Sequence, residues 1–139
     1  MQYLADLEPK QTIYPSDIQE RADITRWLFW CGQDWMPGVS TLNWENSIKA
    51  KIGLGPADPA EVARGEELLR EAATVLDHQL ANREWICKSG LSLADFAIAA
   101  TLADQYHAQF PTTELPNLQR WFKQVQALDI WKSTESGAE

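Results

Sequence analysis

An all-helical domain is what this sequence predicts. All seven prolines (9, 15, 37, 56, 59, 111, 116) stand at the borders of periodic segments, and the 51 residues from Ala60 to Phe110 contain none. Eleven of those 51 are Ala and seven are Leu, against only six β-branched residues. Ala and Leu are strong helix formers, whereas proline removes a helical donor and clashes with the preceding turn. No segment shows the strict two-residue alternation of a half-buried strand.

Four principal helices follow in order. The first is expected from about Ser16 to Met36, ending at Pro37-Gly38, with Ile18, Ala22, Thr25, Phe29, Gly32 and Met36 as its core-facing stripe. Residues 37–57 are less regular; Trp44 to Lys51 forms either a short helix or an extension of its neighbour, and Gly53 to Pro56 a loop. The second helix opens at Asp58-Pro59-Ala60-Glu61, where Asp58 caps, Pro59 loses nothing at the first helical position, and Glu61 is expected to close a capping box. Its stripe is Val62, Leu69, Ala72, Leu76 and Leu80, and its end is placed near Asn82.

The third helix has the fullest start signal. In Gly90-Leu91-Ser92-Leu93-Ala94-Asp95, Ser92 caps the first turn and Asp95 reaches back to the Ser92 amide. The run Phe96 to Ala103 is apolar on almost every side, which predicts a central helix buried all round. The fourth helix starts at Pro116 and sets Leu118, Trp121, Phe122, Val125 and Leu128 on one face; the last seven residues, from Ser133, read as frayed.

Composition narrows the function. The 139 residues are 45% hydrophobic and 23% charged, the balance of one globular domain. Twelve Lys+Arg against 20 Asp+Glu give a formal charge of −8, which repels phosphate backbones and anionic lipid and argues against nucleic-acid or membrane partners. Two cysteines build no disulfide framework, so a reducing, cytoplasmic setting is expected. Asp6, Glu8 and Lys10 leave no uncharged signal-peptide core in the first ten residues.

Few residues invite a catalytic reading. Ser92 and Asp95 have the spacing of a capping box, which accounts for them without chemistry. His78 and His107 lie on different predicted helices with no Cys or Asp at ligand spacing, so no metal site is expected. Cys31 has no basic neighbour to lower its pKa, and Cys87 reads as ordinary packing. Opposite the expected core stripe, the first helix gathers Asp23, Trp27, Trp30, Cys31 and Asp34. Two tryptophans there either pack against another protein surface or wall an apolar ligand site.

The capped apolar helix and the later Leu115-Pro116-Asn117-Leu118-Gln119-Arg120-Trp121 segment resemble the C-terminal helical domain of the glutathione S-transferases. Arg21-Ala22 ahead of Trp27-Leu28, and Asp58-Pro59 before a long amphipathic helix, fit the same pattern. The resemblance runs from about Pro15 to Trp131. It implies that residues 1–14 correspond to the end of a preceding thioredoxin-like domain and the interdomain linker, that 15–132 form the helical domain, and that 133–139 are tail. It further implies that glutathione is co-substrate only of a longer protein whose first domain holds it and supplies the catalytic Ser, Tyr or Cys. No glutathione and no catalytic residue are therefore expected on this chain, which is expected to be inactive by itself.

In that family the first helix serves both the hydrophobic substrate site and the dimer contact. The implied substrate-side residues are Trp30, Asp34 and Trp35, facing an apolar electrophile, and a homodimer is the expected assembly. The alternative is a non-catalytic interaction or dimerisation module of the same fold.

Overall fold

The computed structural model describes residues 1–135. Its helices are α1 (Gln2–Asp6), α2 (Ile18–Trp30), α3 (Met36–Asn43), α4 (Lys49–Lys51), α5 (Pro59–Leu80), α6 (Leu93–Thr101), α7 (Pro116–Gln126) and α8 (Asp129–Glu135). No strand occurs among the described residues; one isolated bridge joins Cys87 and Gly90. The all-α architecture expected from the sequence is the one observed.

The first helix does not stop at Pro37-Gly38. Wider π-helical turns at Cys31–Trp35 and Trp44–Ile48 link α2, α3 and α4 into one helical path from Ile18 to Lys51. The Met36 amide bonds back to the Cys31 carbonyl, five residues away. The register has therefore shifted just before Pro37, which lands in the first turn of α3, where a missing N–H costs little. Gly38 is buried against α5, and a Cβ there would lie 2.6 Å from the Leu69 nitrogen. The Pro-Gly pair thus permits a close helix crossing instead of ending the helix.

Four of the six expected core residues of the first helix face solvent, while Thr25 and Met36 are partly buried. Ile18 is 81% exposed and Phe29 70%, and Ala22 and Gly32 are exposed as well, whereas Ile24, Trp27, Cys31 and Trp35 are buried. Tryptophan carries the largest apolar area, so turning two indoles inward buries more than turning the smaller stripe inward.

Helix α5 keeps its expected stripe, with Leu69, Ala72, Leu76 and Leu80 buried and Val62 partly so. Asp58 caps it through the Ala60 amide at 2.8 Å, but Glu61 closes no capping box. Glu61 pairs with Arg64 at 2.7 Å, and the Asp58 amide donates to Glu45 Oε2 at 2.7 Å. A buried carboxylate from the preceding helical path takes the role expected of Glu61.

Helix α7 is capped across the fold. Leu115 has no capping side chain, and Asp77 of α5 accepts from the Asn117 and Leu118 amides at 2.8 and 2.9 Å and from the Asn117 side chain at 3.0 Å. Leu118, Trp121, Phe122 and Val125 are buried as the periodicity predicts. The tail expected to fray from Ser133 begins inside α8; residues 136–139 lie outside the described residues.

Candidate functional site

Helix α6 organises the core on one side and presents an apolar surface on the other. Its N-terminus closes the predicted capping box between Ser92 and Asp95, both buried. The Asp95 carboxylate accepts from the Ser92 amide at 2.9 Å, the Ser92 hydroxyl at 2.9 Å, the Ile86 amide at 3.0 Å and the Trp121 indole N–H at 2.9 Å. Burial pushes the Asp95 carboxyl above its ordinary pKa, opposed by those hydrogen bonds. Every polar neighbour here is a donor, so the ionised carboxylate is the form this node satisfies. Three chain segments are tied at one group, which is a structural role.

The opposite flank of α6 is open, contrary to the all-round burial expected. Phe96 and Ala97 are only partly buried, Ala100 and Ala103 are exposed, and the helix ends at Thr101. Met1, Phe96, Ala100, Ala103, Ile130 and Trp131 line an open, mostly apolar groove of about 580 Å³. Gln2, Thr25, Leu28 and Phe29 line a smaller, shallow recess of about 190 Å³. The N-terminal pair Met1-Gln2 joins the two: Met1 lines the groove, and the Gln2 side chain donates to Thr25 Oγ1 at 2.9 Å and to the Tyr14 hydroxyl at 3.0 Å. Sequence reasoning missed this face, because an apolar run with small residues on its outer side reads the same whether it is buried or awaits a partner.

The three sequence-derived substrate residues do not share one surface. Trp35 is fully buried and its indole N–H donates to Thr101 Oγ1 at 2.8 Å, joining the helical path to α6. Trp30 is half-buried, stacked edge-on against Trp27 with centroids 5.0 Å apart and 6.0 Å from the Trp35 ring. Trp30 and exposed Asp34 line a separate shallow groove of about 270 Å³ with Pro37, Leu68, Glu71 and Val75.

The titratable groups offer little chemistry. Cys31 and Cys87 are both buried free thiols. Burial raises the Cys31 pKa and pushes Cys87 up to about 12, so neither is a poised thiolate. His78 is exposed, and exposed His107 pairs with Asp104 at 2.8 Å. Among the described residues no group of three or more His, Cys, Asp or Glu could hold a metal ion, and no helix is long and apolar enough to cross a membrane.

This geometry can be set beside known proteins. FtsZ-localized protein A of Caulobacter vibrioides is 26% identical over 129 residues, which are 91% of this chain and 57% of that protein. Glutathione S-transferase D6 of Drosophila melanogaster is 25% identical over 115 residues, 83% of this chain and 50% of the relative. The chain therefore spans about half the length of the curated relatives it matches. The structure of Ure2p5 from Phanerochaete chrysosporium, cocrystallized with 1-(S-glutathionyl)-2,4-dinitrobenzene, overlays with a TM-score of 0.84 at 16% identity, covering 97% of this chain and 64% of that one. Residues 35–129 match the family described as glutathione S-transferase, C-terminal domain, and the chain belongs to that family.

Proposed function

We propose that this chain is the helical, substrate-side half of a glutathione S-transferase-like protein. The observation that carries the reading is the apolar face around α1. Met1 shares a groove with Phe96, Ala100, Ala103 and Ile130, and its neighbour Gln2 shares a recess with exposed Phe29. A face of that kind costs free energy in water and is the expected mark of a docking surface. A glutathione-binding domain seated there would enclose a cleft whose helical wall is apolar, suited to holding an apolar electrophile. Attack by the glutathione thiolate would then be aided by positioning, with the thiolate stabilised by the other domain. Glutathione would be a co-substrate of the joined protein, held tightly by the other domain and not by this chain.

In this reading the Trp30–Asp34 groove is the homodimer contact or a secondary substrate wall, whereas Trp35 acts by holding α6 in place. The setting is cytoplasmic and the role detoxification. A second reading is supported by the likeness to FtsZ-localized protein A, which covers more of this chain than that to the fly transferase. Under it, the same apolar face would be a contact for another protein, without chemistry.

Two measurements test the first reading. Calorimetry of this chain with glutathione should show weak binding or none. The coding sequence upstream of Met1 should encode a thioredoxin-like segment with a Ser, Tyr or Cys near its first strand. Tight glutathione binding by the chain itself, or an unrelated upstream domain, would overturn it.

A further inference from the structure

Another groove, far in chemistry from the apolar face, lies between α2 and the loop after α5. It has a volume of about 470 Å³ and is lined by Glu20, Asp23 and Arg26 from one wall and by Arg83, Lys88 and Ser89 from the other. Its charges are segregated. Arg26 is held by Asp23 at 2.6 Å and lies 4.8 Å from the Trp27 ring centroid, so that pair is internally neutral. Glu20 on the α2 wall, and Arg83 and Lys88 on the loop wall, have no ion-pair partner among the described residues. Opposite charges thus line one groove from two walls without approaching to 4 Å. Two cations are left uncompensated on a chain with eight more acids than bases.

The loop wall is firmly placed. Arg120 donates to the Leu80 and Arg83 carbonyls at 2.9 and 2.7 Å, Gln79 to the Ile86 carbonyl at 2.8 Å, and the Ile86 amide to Asp95 at 3.0 Å. Backbone pinned at both ends presents Arg83 and Lys88 without the ordering cost a free loop would incur on binding.

We propose that this groove binds a small zwitterion, an amino acid or short peptide, with its ammonium toward Glu20 and its carboxylate toward Arg83 and Lys88. A pure anion would leave Glu20 without a partner and a pure cation would leave Arg83 and Lys88 without one, so a ligand carrying both signs is complementary to both walls. The volume suits a molecule of that size. Because the groove is open and polar, recognition is electrostatic, and binding weakens as salt rises.

The test is an NMR titration of the ¹⁵N-labelled chain with glycylglycine, with succinate and putrescine as single-sign controls. Glycylglycine should shift the amides of residues 19–23 and 83–89 saturably, and both controls should bind more weakly. Glu20→Gln and Lys88→Gln should each weaken glycylglycine binding by about fivefold, the scale of one exposed ion pair. Lys123→Gln, on an exposed position of α7, should change nothing. The proposal fails if no saturable shift occurs, if succinate binds as well as the dipeptide irrespective of Glu20, or if Lys123→Gln weakens binding as much as Lys88→Gln.

Discussion

The two sides of α6 solve opposite problems with the same nine-residue helix. Inward, the Ser92–Asp95 node is buried and polar, and every donor around Asp95 has its acceptor. Outward, Phe96, Ala100 and Ala103 are apolar and left partly or fully in water. The inner side states what the fold must satisfy, since an unpaired buried donor costs free energy whatever its surroundings. The outer side is a surface whose apolar character does nothing for the isolated chain, which is why we assign function there.

Substitutions should separate the two sides by size of effect. Asp95→Ala would orphan the donors of Ser92, Ile86 and Trp121 together, and a loss on the order of 4 kcal/mol is expected in urea unfolding followed by circular dichroism. A loss under about 1 kcal/mol would break the contrast. Asp77→Ala removes the cross-fold cap of α7 and should cost about 2 kcal/mol, read as a lower urea midpoint with the slope unchanged.

Glu45→Gln probes a buried carboxylate of the other kind. The Asp58 amide, then Lys49, hold its pKa below the ordinary value. A depressed pKa contributes stability that is present above the unfolded-state value near 4.3 and is lost as pH falls through the lower folded value. Wild type should therefore lose more stability than Glu45→Gln as pH drops below about 4.3, in thermal melts across that range. Parallel melting curves for the two proteins would contradict this.

The smallest change in stability is expected on the outer flank. Ala100→Glu should stay within about 0.5 kcal/mol of wild type, because the position is exposed. It should nevertheless reduce binding of a hydrophobic dye and, in the joined protein, conjugation of an apolar electrophile. A large destabilisation would mean that this flank belongs to the core.

Local chemistry was legible in the sequence where a few adjacent residues settle it. The Ser92–Asp95 capping box, the Asp58-Pro59 start of α5 and the buried face of α7 depend on neighbours within a turn or two, so spacing alone finds them. The chain also carried enough of this pattern to resemble the family it belongs to. What spacing could not supply was anything set by a distant partner. Glu45 replaces Glu61 at the α5 cap, and Asp77 caps α7 from forty residues away, through contacts no local rule encodes.

Helix continuity and facing were likewise decided only in three dimensions. Pro37-Gly38 reads as a stop, yet the π-helical turn before it and the close approach of Leu69 carry the helix through. The surroundings of Trp35 were decided the same way: the resemblance implied a substrate-side aromatic, and its indole N–H donates to Thr101 inside the core. An apolar pattern specifies which side chains avoid water. Only the packed arrangement specifies which of them this chain can cover, and the uncovered remainder on α6 and α2 is where its function is proposed to lie.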